Sequence, residues 1–195
     1  MNLSQRVKEN FNTAIQLQVE SLTLLAEPIA QSAELIVQRL LEGGKILSCG
    51  NGGAGNNARH FCALMINRYQ RERPGLPALS LNNDTDTLTS ITSDYDYDEI
   101  FAKQVRTLGH PGDILLVVTA DGAAENINTA AQAARERDML IIALNGGNGG
   151  RLANILQAGD IELRVAATAE PRIQEVHLLI IHSLCDLIDH QLLGG

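Results

Sequence analysis

The sequence predicts an open α/β sheet of five parallel strands flanked by helices. Short apolar runs rich in Ile, Leu and Val recur from Lys45 onward, as expected for parallel strands that are buried on both faces. Helical stretches separate these runs, and such alternation favours parallel strands joined by right-handed crossovers. Polar or glycine-rich residues follow four of the runs, at the sheet edge where such proteins bind ligands. The predicted strands are Lys45–Cys49, Pro77–Leu81, Ile114–Val118, Met139–Leu144 and Ile161–Val165.

The first 43 residues are predicted to form a helical hairpin. Apolar residues recur every three or four positions from Leu3 to about Leu25, and again from Ile29 to Leu41. Pro28 suits the first turn of the second helix. Because a doubly wound sheet does not need such a hairpin, we expect residues 1–43 to contact other subunits; the alternative is that they cover their own sheet. Residues 44–195 would then form the α/β core of a single domain spanning residues 1–195.

The helices between the strands follow from the same periodicity. The first four lie between successive apolar runs, so each is placed to cross from one strand to the next, and the fifth follows the last strand. The predicted helices cover Asn56–Arg71, Tyr97–Leu108, Ala123–Arg137, about Gly150–Ile155, and about Pro171–Leu193.

A glycine-rich turn follows the first strand. Gly50, Gly52 and Gly53 lie between that strand and a helix, so backbone N–H groups and a helix N-terminus meet at one place. This arrangement suits an anion. The turn is neither G-x-G-x-x-G nor a P-loop, since no Walker-A lysine follows the glycines. A dinucleotide site and a nucleotide triphosphate site are therefore disfavoured.

The overall composition disfavours several functions. A formal net charge of −8 is unsuited to a nucleic-acid surface, which needs clustered Lys and Arg. We expect no membrane span, since no run reaches the ~18 apolar residues that one requires, and we expect no signal peptide. The three cysteines, Cys49, Cys62 and Cys185, lie in apolar surroundings and indicate reduced core residues of a cytoplasmic protein.

Four long stretches resemble a known family. They are KILSCGNGG at Lys45–Gly53, NRYQRERPGLPA at Asn67–Ala78, GDILLVVTADG at Gly112–Gly122, and RIQEVHLLIIHSLCDLID at Arg172–Asp189. With these stretches the chain resembles the SIS (sugar isomerase) family from about residue 3 to residue 193. The closest branch contains phosphoheptose isomerase and DiaA, which associates with the replication initiator DnaA. The resemblance implies a flavodoxin-like three-layer fold and a homotetramer whose active sites lie between subunits.

The resemblance also implies a set of site residues. The catalytic Glu of the family's isomerases lies four residues after a His, and here His60 matches that His while Leu64 takes the Glu position. His182 would be catalytic if the chain is an isomerase. We expect no cofactor, although His60, Gln174 and His182 match residues that hold a metal in some relatives and could retain zinc. The implied ligand-binding residues are Asn51, Gly52, Gly53, Asp94, Thr119 and Gln174.

The phosphate-binding residues of the isomerases are largely replaced. Ala54 stands at the position of a phosphate-contacting Ser, and of the loop S-T-S-G-N-S only Thr119 and Gly122 resemble the pattern. Asp121 would repel each unit of negative charge on a phosphate by about 4 kcal/mol at ~4 Å and an effective dielectric constant near 20. Asp121 is better explained as the N-cap of the following helix than as a catalytic residue, and in that position it would still disfavour a phosphate.

These replacements predict a non-catalytic, DiaA-like regulator of replication initiation. It would bind a DnaA-type initiator protein through Leu192 and Leu193, which align with a Leu-Phe pair of DiaA. One alternative is a phosphoheptose isomerase that converts sedoheptulose 7-phosphate to D-glycero-D-manno-heptose 7-phosphate, with His60 and His182 sharing the proton transfer. Another is a sensor that binds an unphosphorylated or cationic sugar through Asp121, Asp94 and Gln174.

Overall fold

A five-stranded parallel sheet lies at the centre of the protein. The computed structural model describes residues 2–194, and its strands are ordered β2-β1-β3-β4-β5, which confirms the predicted α/β class. This is the strand order of flavodoxin-like folds. The elements in chain order are α1 Leu3–Leu41, β1 Ile46–Gly50, α2 Gly52–Ile66, β2 Ala78–Ser80, α3 Thr85–Asp94, α4 Ala102–Leu108, β3 Ile114–Val118, α5 Glu125–Glu136, β4 Leu140–Gly146, β5 Ile161–Val165 and α6 Glu170–Leu193, with short 3-10 turns at Tyr97–Glu99 and Leu152–Asn154.

The sheet has a separate hydrophobic core on each face. One core joins the sheet to α1, α2 and α6, and the other joins it to α3, α4 and α5. β1 and β3 are fully buried neighbours, paired from Ile46–Ile114 to Gly50–Val118. The chain leaves β1 towards one side of the sheet and β3 towards the other. Their carboxyl ends therefore form the crevice at which such folds bind ligands.

Residues 3–41 form one helix, so the predicted hairpin is wrong. α1 continues through Pro28, although proline removes one backbone hydrogen bond from a helix. No glycine or turn-forming pair stands beside Pro28, and the Ser32 hydroxyl donates to the Pro28 carbonyl at 2.8 Å. Packing of the buried α1 residues along α6 outweighs the lost bond. The predicted end of this helical region at Gly43 is confirmed, with a left-handed φ of 89°.

Several boundaries of the other elements differ from the prediction. α2 begins at Gly52, four residues before the expected Asn56, and it ends at Ile66 rather than at Arg71. α3 was not predicted, because its sequence TDTLTSITSD has few strong helix formers; Asp84 caps it by accepting from the Asp86 N–H. The helix expected over Tyr97–Leu108 is a 3-10 turn followed by α4, and the one expected near Gly150–Ile155 is a single 3-10 turn.

α6 packs against two other helices and the sheet. Within residues 2–194 it is the one helix long and apolar enough to cross a membrane, but its buried residues contact α1, α2 and the sheet. The core helices of globular folds often reach the length and apolar composition of a membrane span, and the packing of α6 is that of a core helix. α6 carries four polar residues of interest: His177 and Asp189 are buried, whereas Gln174 and His182 are half-buried.

Candidate active site

The imidazoles of His60 and His182 are in contact between helices α2 and α6. His60 lies on α2 and His182 lies on α6, 122 residues later, and their Nε2 atoms are 3.1 Å apart. The rings pack edge to face, with centroids 5.3 Å apart. Partial burial, together with the neighbouring His182, lowers the pKa of His60 below its ordinary value. His60 is therefore neutral at neutral pH, and a neutral imidazole can accept a proton.

Tyr69 packs against one member of this histidine pair. Its ring stacks on His182 with a centroid distance of 5.8 Å and an interplanar angle of 30°. The sequence did not identify Tyr69, because it lies in a loop nine residues after His60 with no helical spacing to relate them. Leu64, at the expected Glu position, is half-buried and packs against the adjoining core. Leu64 can neither accept nor donate a proton through its side chain.

A second polar cluster lies at the carboxyl ends of β1 and β3. Asn51 and Asn126 exchange two side-chain hydrogen bonds of 2.9 Å each, and the Tyr97 hydroxyl donates to Asn51 Oδ1 at 3.3 Å. Asn51 was predicted as a ligand-binding residue, whereas Asn126 and Tyr97 were missed. The sheet topology brings Asn126 from the start of α5 to the end of β1, which no spacing in the sequence indicates.

Two loops beside this cluster offer different surroundings to an anion. Asn51 gives α2 no side-chain cap, so the first-turn N–H groups near Gly52 and Gly53 have no side-chain partner. In the next loop Thr119 Oγ1 accepts from the Gly122 N–H at 3.2 Å, and Asp121 Oδ1 accepts from the Ala123 N–H at 3.0 Å. The start of α2 therefore has more backbone N–H groups free to bind an anion than the loop at Thr119 has. Asp121 forms this turn rather than the predicted N-cap, since α5 begins only at Glu125.

Gln174 and Gly53 are brought into contact. The Gln174 amide lies so close to Gly53 that a Cβ at position 53 would require the Gln174 side chain to move. Gln174 Nε2 also donates to Glu170 Oε1 at 2.8 Å, and the Gln174 carbonyl accepts from Asn57 at 3.1 Å. α6 thereby faces the start of α2 at Gln174 and the middle of α2 at His182.

Three predicted residues lie apart from these contacts. Asp94 ends α3 and is exposed, and its side chain makes no hydrogen bond or ion pair with the residues described. Leu192 is half-buried against the core, and Leu193 is 37% exposed at the end of α6. Leu192 is thus explained by packing within the fold.

His60 and His182 supply only part of the ligands that a zinc site requires. Two imidazole nitrogens 3.1 Å apart could each bind one zinc ion at ~2.0–2.1 Å with an angle of about 98° between them. Over residues 2–194, however, no group of three His, Cys, Asp or Glu side chains converges. Two imidazoles do not fit a four-coordinate site, so no step below depends on a metal.

His177, one helical turn after Gln174, is a buried structural residue. Its Nε2–H donates to the Asn145 carbonyl at 3.0 Å, and its Nδ1 is buried without a partner. Burial lowers the pKa of His177 to about 4, a shift that the hydrogen bond to Asn145 partly opposes. The imidazole is therefore neutral in the folded protein at neutral pH.

This burial predicts a loss of stability in mild acid. The unfolded chain binds a proton at His177 below about pH 6.5, whereas the folded chain does so only near pH 4. Stability therefore falls as the pH drops from about 6.5 to 4, by about 3 kcal/mol from this residue. Urea unfolding across this range should show a shallower dependence on pH in His177→Gln. His190→Gln, at an exposed position on the same helix, should keep the wild-type dependence; equal slopes in all three proteins would contradict the assignment.

Comparison with known proteins decides the family. The SIS domain family matches residues 10–146. The chain belongs to the SIS domain family. A protein from Methylococcus capsulatus named phosphoheptose isomerase is 53% identical over 194 residues, covering 100% of both chains. One of the same name from Alteromonas mediterranea is 51% identical over 188 residues, covering 96% of this chain and 95% of the relative.

Solved structures of the same branch match the whole SIS fold. The phosphoheptose isomerase GmhA from Neisseria gonorrhoeae superposes with a TM-score of 0.91 at 44% identity, covering 96% of this chain and 99% of its own. A phosphoheptose isomerase from Francisella tularensis gives a TM-score of 0.95 at 44% identity, with coverage of 97% and 100%. The resemblance to the phosphoheptose isomerase branch is thus confirmed.

These relatives correct the predicted function. The expectation of a non-catalytic, initiator-binding protein is contradicted by full-length relatives at about half identity that are named as isomerases. The prediction gave most weight to the residues that are missing, Leu64 among them. It gave less weight to the remaining imidazoles, whose contact across α2 and α6 becomes visible only in the folded chain.

Proposed function

We propose that this protein is a phosphoheptose isomerase in which His60 and His182 carry the proton transfers. The observation that carries the proposal is the 3.1 Å approach of the two Nε2 atoms, in a chain that matches phosphoheptose isomerases over its full length. The substrate is a phosphorylated seven-carbon sugar, sedoheptulose 7-phosphate. The product is D-glycero-D-manno-heptose 7-phosphate.

The reaction moves one proton between adjacent carbons. A base removes a proton from C1 of the ketose while a proton is delivered to the C2 carbonyl oxygen, which gives an enediol. The O1 proton then leaves, a proton returns to C2, and the aldehyde forms at C1. Neutral His60 is suited to the carbon-bound proton, and His182 to the proton that moves between the two oxygens. Together the two groups supply the acid and the base that this chemistry needs.

The phosphoryl group is assigned to the start of α2. Its first-turn N–H groups lack a side-chain cap, and the positive end of the helix dipole favours an anion. Gln174 and the Asn51–Asn126 pair border this position with neutral donors. The loop at Thr119 is less suited, because Thr119 and Asp121 already accept from its own N–H groups.

Direct turnover tests the function. Purified protein is incubated with sedoheptulose 7-phosphate in D2O, and the product is followed by proton NMR. We expect the aldose phosphate to accumulate with deuterium at C2. The Methylococcus capsulatus relative, assayed in parallel, controls for the substrate and the conditions. If that relative forms product and this protein forms none, the proposal is wrong.

We also infer a homotetramer that functions in the cytoplasm. α1 presents six exposed apolar residues spaced three or four apart, between 53% and 82% exposed: Leu3, Val7, Phe11, Ile15, Val19 and Leu22. A row of this kind on one helix is typical of a subunit contact. Cys49, Cys62 and Cys185 are free and buried, which suits a reducing compartment.

A charge within this apolar row should break the assembly. We expect Ile15→Glu to lower the mass measured by light scattering from four chains to two or one. Leu24 is equally exposed but lies about 200° around the helix from Leu22. Leu24→Glu is therefore the matched control and should leave the mass unchanged. A tetramer that persists in Ile15→Glu would contradict the role of this row.

A further inference from the structure

A buried ion pair joins the loop after α2 to the last turns of α6. The guanidinium of Arg73 bonds Asp189 Oδ1 through Nε at 2.5 Å, and the two side chains are 1% and 4% exposed. A buried pair of this kind is costly to desolvate and is weak evidence for stability in itself. Its position in the fold therefore calls for another explanation.

The other guanidinium nitrogens of Arg73 connect the ion pair to the end of α2. Nη2 donates to the Leu64 carbonyl at 3.0 Å, and Nη1 donates to the Met65 carbonyl at 2.8 Å. These carbonyls belong to the last turn of α2, where they lack intrahelical partners; the Met65 carbonyl also accepts from the Leu76 N–H at 3.0 Å. Arg73 thus fixes the end of α2, its own loop and α6 relative to one another.

Tyr69 lies in the segment that this pair restrains. The segment runs from Asn67 to Pro77, between α2 and β2, and Arg73 is four residues after Tyr69. On α6, His182 and Asp189 are seven residues apart and so lie on one face, two turns from each other. The loop meets that face twice, through Tyr69 on His182 and through Arg73 on Asp189.

The imidazole of His182 is held from two directions. Tyr69 stacks on its face at 5.8 Å, within the usual range for aromatic pairs, and His60 meets its Nε2 atom at 3.1 Å. Without the tyrosine ring, the imidazole could rotate about its side-chain torsions and move Nε2 by an ångström or more. A displacement of that size is enough to spoil proton transfer in an active site.

We propose that Tyr69 is a positioning residue of the proposed isomerase site, and that the Arg73–Asp189 pair places it against His182. The proposal rests on the proposed function in one respect: the histidine pair is taken as the reacting centre. The placement of the ring can be measured without turnover, so the two proposals can fail separately.

The first test compares three variants at aromatic positions. Tyr69→Leu removes the ring, Tyr69→Phe keeps it, and Tyr95→Leu makes the same change at an exposed tyrosine that contacts Lys103. In the wild type, the stacked ring should shift the His182 imidazole protons upfield in the NMR spectrum. We expect Tyr69→Leu to abolish that shift and Tyr69→Phe to keep it. The spectrum of Tyr95→Leu should match the wild type at His182.

Kinetics with sedoheptulose 7-phosphate give the second measurement. Tyr69→Leu should lower kcat by about tenfold or more while KM stays within about twofold, because the ring orients a reacting group and does not bind substrate. Tyr69→Phe should restore most of kcat. A folded Tyr69→Leu protein with wild-type His182 shifts and kcat would overturn the proposal. If the wild type itself shows no turnover, the proposed function fails and the NMR shifts still decide the placement.

The third test separates positioning from stability. The double variant Arg73→Met/Asp189→Leu replaces the pair with apolar side chains, an exchange that commonly preserves stability. We expect its urea midpoint to lie near that of the wild type while the His182 upfield shift is reduced. Unchanged His182 shifts in this variant would remove the ion pair from the proposal. Should the double variant not fold, Tyr69→Leu and Tyr69→Phe decide the matter on their own.

Discussion

Replacing His182 with Gln should lower kcat for sedoheptulose 7-phosphate by a factor of about 10² to 10⁴. This is the usual contribution of a general acid or base, and Gln can form hydrogen bonds but cannot exchange a proton at neutral pH. Gln fills a similar volume and can still reach towards His60, so the fold should be retained. The change should appear in kcat more than in KM, because the phosphoryl group is assigned to the distant start of α2.

Two further variants bear on this prediction. His190→Gln makes the same substitution at an exposed position two turns later on α6, and it should leave kcat within about twofold of the wild type. His60→Gln should reduce kcat as strongly as His182→Gln. The double variant should then be little worse than either single variant, since the two residues act as one unit. Wild-type turnover by His182→Gln would rule out the histidine pair as the reacting groups.

Replacing either Arg73 or Asp189 alone should greatly lower the free energy of unfolding. Asp189→Leu leaves the Arg73 guanidinium 1% exposed with no counter-charge. Breaking such a pair by removing one partner costs about 3–5 kcal/mol of the free energy of unfolding. We expect Arg73→Met to cost a similar amount, since it leaves the Asp189 carboxylate buried without its counter-charge and removes the donor to the Leu64 carbonyl. Urea unfolding followed by circular dichroism measures both.

The double variant and a surface pair complete this experiment. Arg73→Met/Asp189→Leu should recover most of the lost stability, because no buried charge is left without a partner. Glu72 pairs with Arg68 at 3.5 Å but is 91% exposed, so Glu72→Leu should leave the unfolding midpoint close to the wild type. Additive losses in the double variant would show that the two charges do not depend on each other.

The strands were the part of the fold that sequence patterns predicted best. Ile114–Val118 and Ile161–Val165 match the structure residue for residue. The first is a continuous apolar run, typical of a strand buried on both faces, and the second alternates apolar with charged residues, typical of a partly exposed strand. Helix boundaries were less accurate. α2 begins within the glycines, at Gly52, and at Gly55 the Gly50 carbonyl lies too close for a Cβ. Such a contact belongs to the folded chain and leaves no periodic signal.

The hairpin prediction failed for a related reason. A proline between two apolar patterns usually marks a helix start, and the sequence around Pro28 met that expectation. The structure instead continues the helix, because α6 offers a packing surface along much of the length of α1. The benefit of that surface depends on residues about 150 positions away, which local propensity does not include.

Some residues of the candidate site could be predicted from the sequence and others could not. The glycine turn, Asn51 and the pair Gln174 and His182 on one helix could be predicted from local pattern and from the resemblance. Asn126, Tyr97 and Tyr69 could not, because each reaches the site from a different loop or helix. The function was mispredicted from the missing carboxylate at Leu64, and the full-length relatives corrected it.

The sequence by itself determined the class of fold and the order of its strands along the chain, because burial of apolar runs is a local and repetitive demand. Only the tertiary structure decided that α1 is unbroken, that His60 meets His182, and that Tyr69 and the Arg73–Asp189 pair support that contact. These are contacts between residues far apart in the chain. Their energies depend on distance and orientation in space, which no single segment contains.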